Sequence, residues 1–117
     1  MSQFISLQQA IDMTTLYRAE RENILAEAYK EQNILALSET FDRGEIDEIL
    51  SKSGCEAIRI YYGMDEELRV HAILVPVDEN NEDILPPSNE INVVGDDIVE
   101  QSRRCPDDCP PESPLNS

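Results

Sequence analysis

Residues 57–77 read Ala-Ile-Arg-Ile-Tyr-Tyr-Gly-Met-Asp-Glu-Glu-Leu-Arg-Val-His-Ala-Ile-Leu-Val-Pro-Val. Two runs rich in β-branched and aromatic residues flank a short acidic stretch, the pattern of two strands joined by a turn. Side chains alternate faces along a strand, so Ile58, Ile60 and Tyr62 share one face, as do Val70, Ala72 and Leu74. Pairing Tyr62 with Val70, Ile60 with Ala72 and Ile58 with Leu74 makes that face wholly apolar. A slip by one residue would bring Arg69 and His71 into it, and the pattern selects against that. The opposite face carries Arg59, Tyr61, His71, Ile73 and Val75. Pro76 cannot donate to a ladder, so it marks an edge or the strand's end.

Upstream, Ser6 and Gln9 have the spacing of a capping box that opens a helix at Leu7. Ala10, Met13, Tyr17 and Ile24, with Leu7 and Leu16, form an apolar stripe that predicts a helix over about 7–29. Residues 34–39 carry a period-two pattern, interrupted by Glu39, that predicts a short strand. Asp42 and Glu45 signal a second helix start, and Ile46, Ile49 and Leu50 give it one apolar face. Lys52 and Gly54 close it, so the second helix is expected over 43–52. The expected fold is α+β: a small sheet built on the antiparallel hairpin 57–77, with both helices on one face.

The chain has 117 residues, 25 acidic and 9 basic, with a formal charge of −16. Nucleic-acid binding needs clustered Lys and Arg, so it is excluded as an expectation, and so is docking on an anionic membrane. No apolar run reaches the length of a membrane span. No secretory signal is visible at the N-terminus, and three cysteines without one suggest reduced thiols and a cytoplasmic address.

Residues 78–83, Asp-Glu-Asn-Asn-Glu-Asp, invite comparison with a calcium loop. The template fails because its glycine position is Asp83 and its twelfth position is Asn89. The reading is a polar turn, with Ile84 and Leu85 as a short further strand. Residues 1–85 are expected to form the α+β domain. Residues 86–117 form an acidic, Pro-rich linker and tail, in which Ile91–Val94 could dock as an edge segment. Four prolines in 103–117 exclude regular helix or ladder and favour an extended or disordered tail.

Three sets of residues could carry function. The tail residues Arg104, Cys105, Pro106, Cys109, Pro110, Pro111 and Leu115 make a stiff, marked segment, a docking peptide for a protein partner. Cys105 and Cys109, separated by three residues, could form a reversible disulfide. With Cys55 and His71 they also supply the ligand count of a Cys₃His zinc site, although a single close pair is not the usual zinc spacing. Cys55 on its own reads as a small buried hydrophobe between helix and strand. Arg59, Tyr61 and His71 share a strand face that could hold a small anion or do acid–base work. No catalytic triad, nucleophile elbow or phosphate-binding glycine loop is present. The preferred expectation is a non-catalytic interaction module.

The segments Gly54-Cys55-Glu56-Ala57-Ile58-Arg59-Ile60-Tyr61-Tyr62-Gly63-Met64 and Arg104-Cys105-Pro106-Asp107-Asp108-Cys109-Pro110-Pro111, with the Ser-Pro-Leu-Asn end, resemble a family of short uncharacterised bacterial proteins. The resemblance covers most of the chain and implies no activity, cofactor or catalytic residue. Family members often have Gly where this chain has Pro76.

Overall fold

The fold is taken from a computed structural model, which describes residues 3–92, 94–95 and 97–116. Val93 and Asp96 of the expected linker, and Ser117 at the end of the tail, lie outside the described residues. The elements in chain order are α1 (Leu7–Glu20), β1 (Ser38–Thr40), α2 (Arg43–Leu50), β2 (Ala57–Met64), β3 (Val70–Val77) and β4 (Arg103–Cys105), with single 3₁₀ turns at Glu27–Tyr29 and Ser88–Glu90. β2 and β3 form one antiparallel sheet and β1 and β4 another. The architecture is the α+β fold with a central hairpin.

α1 starts where expected. Gln9 N–H donates to Ser6 Oγ at 3.0 Å and Ser6 N–H donates to Gln9 Oε1 at 2.8 Å, a complete capping box. It stops at Glu20 rather than near residue 29. Asn23 Nδ2 donates to the Ala19 carbonyl, the acceptor that residue 23's own N–H would use if the helix continued. The second helix is also shorter than expected, Arg43–Leu50. Gly54, at φ +83°, turns the chain towards β2. Asp42 stands at its N-cap without a side-chain cap bond; its carboxylate pairs instead with Arg103 Nη2 at 2.9 Å.

The hairpin register differs by two residues from the expected one. Met64 lies opposite Val70, Tyr62 opposite Ala72, Ile60 opposite Leu74 and Ile58 opposite Pro76. A shift of two keeps every side chain on its expected face, and hydrophobic alternation cannot detect it. Turn chemistry decides it. Asp65 N–H donates to the Arg69 carbonyl, and Asp65 Oδ1 accepts from the N–H groups of Glu67 and Arg69. Leu68 takes φ +65°. The turn after β3 repeats this plan. Asp78 N–H donates to the Glu82 carbonyl, Asp78 Oδ1 accepts from Asn80 and Glu82, and Asn81 takes φ +66°. The expected polar turn at 78–83 is therefore present, followed by single bridges, Val77 to Asp83 and Leu74 to Val99, rather than a further strand.

β3 is central. Its outer edge is met by four unrelated groups. Val70 N–H donates to the Ile34 carbonyl, Ala72 N–H to Glu39 Oε2, and Leu74 exchanges both bonds with Val99. The Pro76 carbonyl accepts from Ile84 N–H. The expected strand at 34–39 is thus displaced: β1 begins at Ser38, and Ile34 serves β3. The core is Ile34, Ile49, Leu74, Val75, Val77 and Cys105, with Pro76, and Ile49 is 0% exposed. The apolar hairpin face is buried only at this end, since Ile60 and Tyr62 are exposed.

α2 packs against both hairpin strands. α1 is held elsewhere, so the two helices do not share the hairpin as a common floor. Tyr17 Oη donates to the Ala36 carbonyl and Arg21 Nε to the Leu35 carbonyl at 2.9 Å. The tail is anchored as well. β4 pairs Arg103, Arg104 and Cys105 with Thr40, Glu39 and Ser38. Arg104 donates to the carbonyls of Val70, Asn33 and Ile34. Beyond β4, no further helix or strand occurs among the described residues, as the prolines require.

Candidate functional site

Docking α1 on residues 35–37 and folding the tail back over β1 leaves a cleft between them of about 590 Å³. Tyr17 and Thr14 of α1, Leu37, Thr40 of β1, and Pro110, Glu112 and Leu115 of the tail line it. Arg18 crosses its end, with Nη1 donating to the Leu115 carbonyl at 2.6 Å. Burial among these groups raises the Tyr17 phenol pKa above its ordinary value. Cys105 and Cys109 also line the cleft and are joined as a disulfide, with Cα atoms 4.5 Å apart, in place of the reduced thiols expected there. Cys105 is 5% exposed, whereas Cys109 is exposed.

The proposed docking tail is therefore laid onto the body of the molecule. Arg104 is half-buried and spends its guanidinium on three backbone carbonyls. Pro106 is half-buried, while Pro110, Pro111 and Leu115 are exposed. The outer side of α1 is bare. None of its residues is buried. Met13 and Leu16 are 66% and 64% exposed, and Ile24, just beyond the helix, is 71% exposed. These three, with Tyr17, Glu20 and Arg21, line a shallow apolar depression. This is the stripe that the sequence pattern marks for burial, and none of the described residues covers it.

The metal-ligand candidates are not gathered. Cys105 and Cys109 are bonded to each other, Cys55 stands half-buried before β2 with its Sγ 3.4 Å from the Ala57 carbonyl oxygen, and His71 lies beside the hairpin turn. Among the described residues no group of three or more His, Cys, Asp or Glu side chains is placed to hold a metal ion.

Arg59, Tyr61 and His71 share a sheet face, but they divide between two clusters. Arg59 and Tyr61 both bind the Asp83 carboxylate, and Arg59 also reaches Asn81. The Tyr61 hydroxyl, then the Arg59 guanidinium, hold the Asp83 pKa below the usual carboxylate range. His71 faces Gly63 across the ladder instead. Its Nε2 is 2.8 Å from Asp65 Oδ2 and its Nδ1 is 3.3 Å from Glu100 Oε1. That imidazole contact, with the Arg69 and Glu67 amides, pushes the Asp65 pKa far below its ordinary value. Both clusters lock turns: the first ties the 78–82 turn to β2, the second ties the 65–69 turn to residue 100. Sequence spacing did not reveal Asp83 or Asp65 as partners, since each reaches its target through a turn.

No family model matches the chain, and neither a curated protein nor a solved structure is similar to it. No described helix is long and apolar enough to cross a membrane.

Proposed function

We propose that this chain is a non-catalytic cytoplasmic interaction module of the bacterial family it resembles, and that it receives a protein partner on the bare face of α1 beside the folded-back tail. The observation that carries this reading is the uncovered stripe Met13, Leu16 and Ile24. Contiguous apolar surface of this kind marks interaction sites in proteins that otherwise keep their surfaces polar. The extent of the surface supports it. The chain exposes 8822 Å². A lone folded chain of its 13.3 kDa would expose about 6,450 Å². The difference of about 2,400 Å² exceeds the ~800 Å² that one partner contributes to a standard interface.

The experiment replaces Met13 and Leu16 with Asp in the full chain and compares what co-purifies with it and with the parent protein. The expected result is a specific partner retained by the parent and lost by the variant, with unchanged circular dichroism. The same partners on both proteins would contradict the reading.

A further inference from the structure

We propose that the Cys105–Cys109 bond is a thiol–disulfide exchange site that accepts a dithiol carried on a cationic, apolar-flanked segment. This stands apart from the α1 interface and needs no partner there. Three observations lead to it.

First, both of its cysteines line the 590 Å³ cleft, where a bound segment would lie beside them. Second, its two sulfurs are unequal. Cys105 belongs to β4 and is buried; Cys109 is exposed on the loop that follows. An incoming sulfur reaches Cys109, and the sulfur it displaces stays within the fold. Third, the bond adds little as a staple. It closes a loop of only three intervening residues, the kind that constrains an unfolded chain least. The segment is already held by the β1–β4 ladder, by the three Arg104 bonds and by the Arg103–Asp42 pair.

The chemistry of the substrate follows from the surroundings. Leu37, Pro110 and Leu115 give the cleft an apolar lining. Asp107, Asp108 and Glu112 stand exposed around Cys109 on a chain of charge −16, and outnumber the Arg18 guanidinium that lines the cleft at its end. Such a field concentrates cationic reactants and repels anionic ones.

In the exchange, a substrate thiolate attacks Cys109 Sγ. The Cys105–Cys109 bond breaks, and its electron pair leaves on Cys105 Sγ, which takes a proton from solvent. The second thiolate of the same substrate attacks the substrate sulfur of the mixed disulfide and releases Cys109 as a thiolate, which is protonated in turn. The substrate loses two electrons and two protons and becomes a disulfide; the protein gains both and becomes a dithiol.

The test uses the full oxidised chain. Its free thiols are counted by alkylation and mass spectrometry during exposure to cysteamine, a cationic thiol, or to 2-mercaptoethanesulfonate, an anionic one, compared at equal thiolate concentration. The expected result is reduction with the circular dichroism unchanged, and cysteamine faster by about tenfold at low salt, an advantage that shrinks in high salt. In a second arm, with the modified residue located by peptide mapping so that Cys55 is not counted, Cys109 in Cys105→Ser forms a mixed disulfide with cystamine about tenfold faster than Cys105 does in Cys109→Ser. Reduction only after the chain is unfolded would overturn the proposal and leave the bond a structural staple. Equal rates for the two thiols, or for the two variants, would overturn it too. Should a variant fail to fold, the parent chain with the two thiols decides alone.

Discussion

The carboxylate of Glu39 takes one hydrogen from Ala72 N–H at 2.9 Å and another from the Ser102 hydroxyl at 2.7 Å. It stands in for a missing strand on the outer edge of β3 and ties that edge to the entry of β4. Replacing it by Ala leaves the Ala72 N–H without its acceptor and is expected to lower the unfolding free energy by about 2 kcal/mol, measured by urea denaturation, with Glu39→Gln losing less. Leu68 gives the opposite case. It holds a left-handed conformation in which the Cβ crowds the following carbonyl, a cost that Asn bears best, and Asn81 stands at the matching place in the second turn. Leu68→Asn is expected to raise stability by about 0.5–1 kcal/mol in the same assay. Asp65 makes the hairpin sensitive to acid. Its folded pKa is depressed, chiefly by the His71 ring, so its contribution is full above its unfolded pKa, near 3.8, and is lost as pH falls through the lower folded value. Stability measured from pH 5 downward is expected to fall less steeply in Asp65→Asn than in the parent; identical slopes would contradict this.

At the scale of elements, the hairpin and both helix starts were legible because each rests on local chemistry: alternation in 57–77, the Ser6–Gln9 box, and the Ile46, Ile49, Leu50 face. What was not legible depended on groups far apart in the chain. The hairpin faces came through, yet the two-residue register shift did not, because it is invisible to alternation and is set by Asp65 and Leu68. The helix end at Glu20 turned on one Asn23 side-chain bond. Glu39 read as a flaw in an apolar period because its partners lie 33 and 63 residues away. The tail read as separable because its prolines forbid regular structure, but buried Cys105 and the three carbonyl bonds of half-buried Arg104 fix it to the body. A truncation at residue 103 therefore removes β4 and a buried residue together and does not isolate a docking function. Of the candidate sites, the cysteine pair kept its proximity, whereas the Arg59, Tyr61 and His71 face separated once Asp83 and Asp65 claimed its members.

The whole molecule is more open than its mass requires. Its radius of gyration is 16.4 Å, against about 13 Å for a compact chain of this length. The hydrophobic core is small, Leu74 to Val77 of β3 with Ile34, Ile49 and Cys105, while α1 turns its apolar stripe outward. The proposed interface requires that stripe to be bare in the isolated chain and covered only by a partner. The most direct measurement is the urea unfolding free energy of the Met13→Asp, Leu16→Asp chain, alone in solution. A bare stripe predicts a loss of no more than about 1 kcal/mol, the helix-propensity cost of two exposed Asp residues in α1. A loss of about 3 kcal/mol or more, the mark of a charge forced into a packed interior, would show that the chain covers the stripe itself.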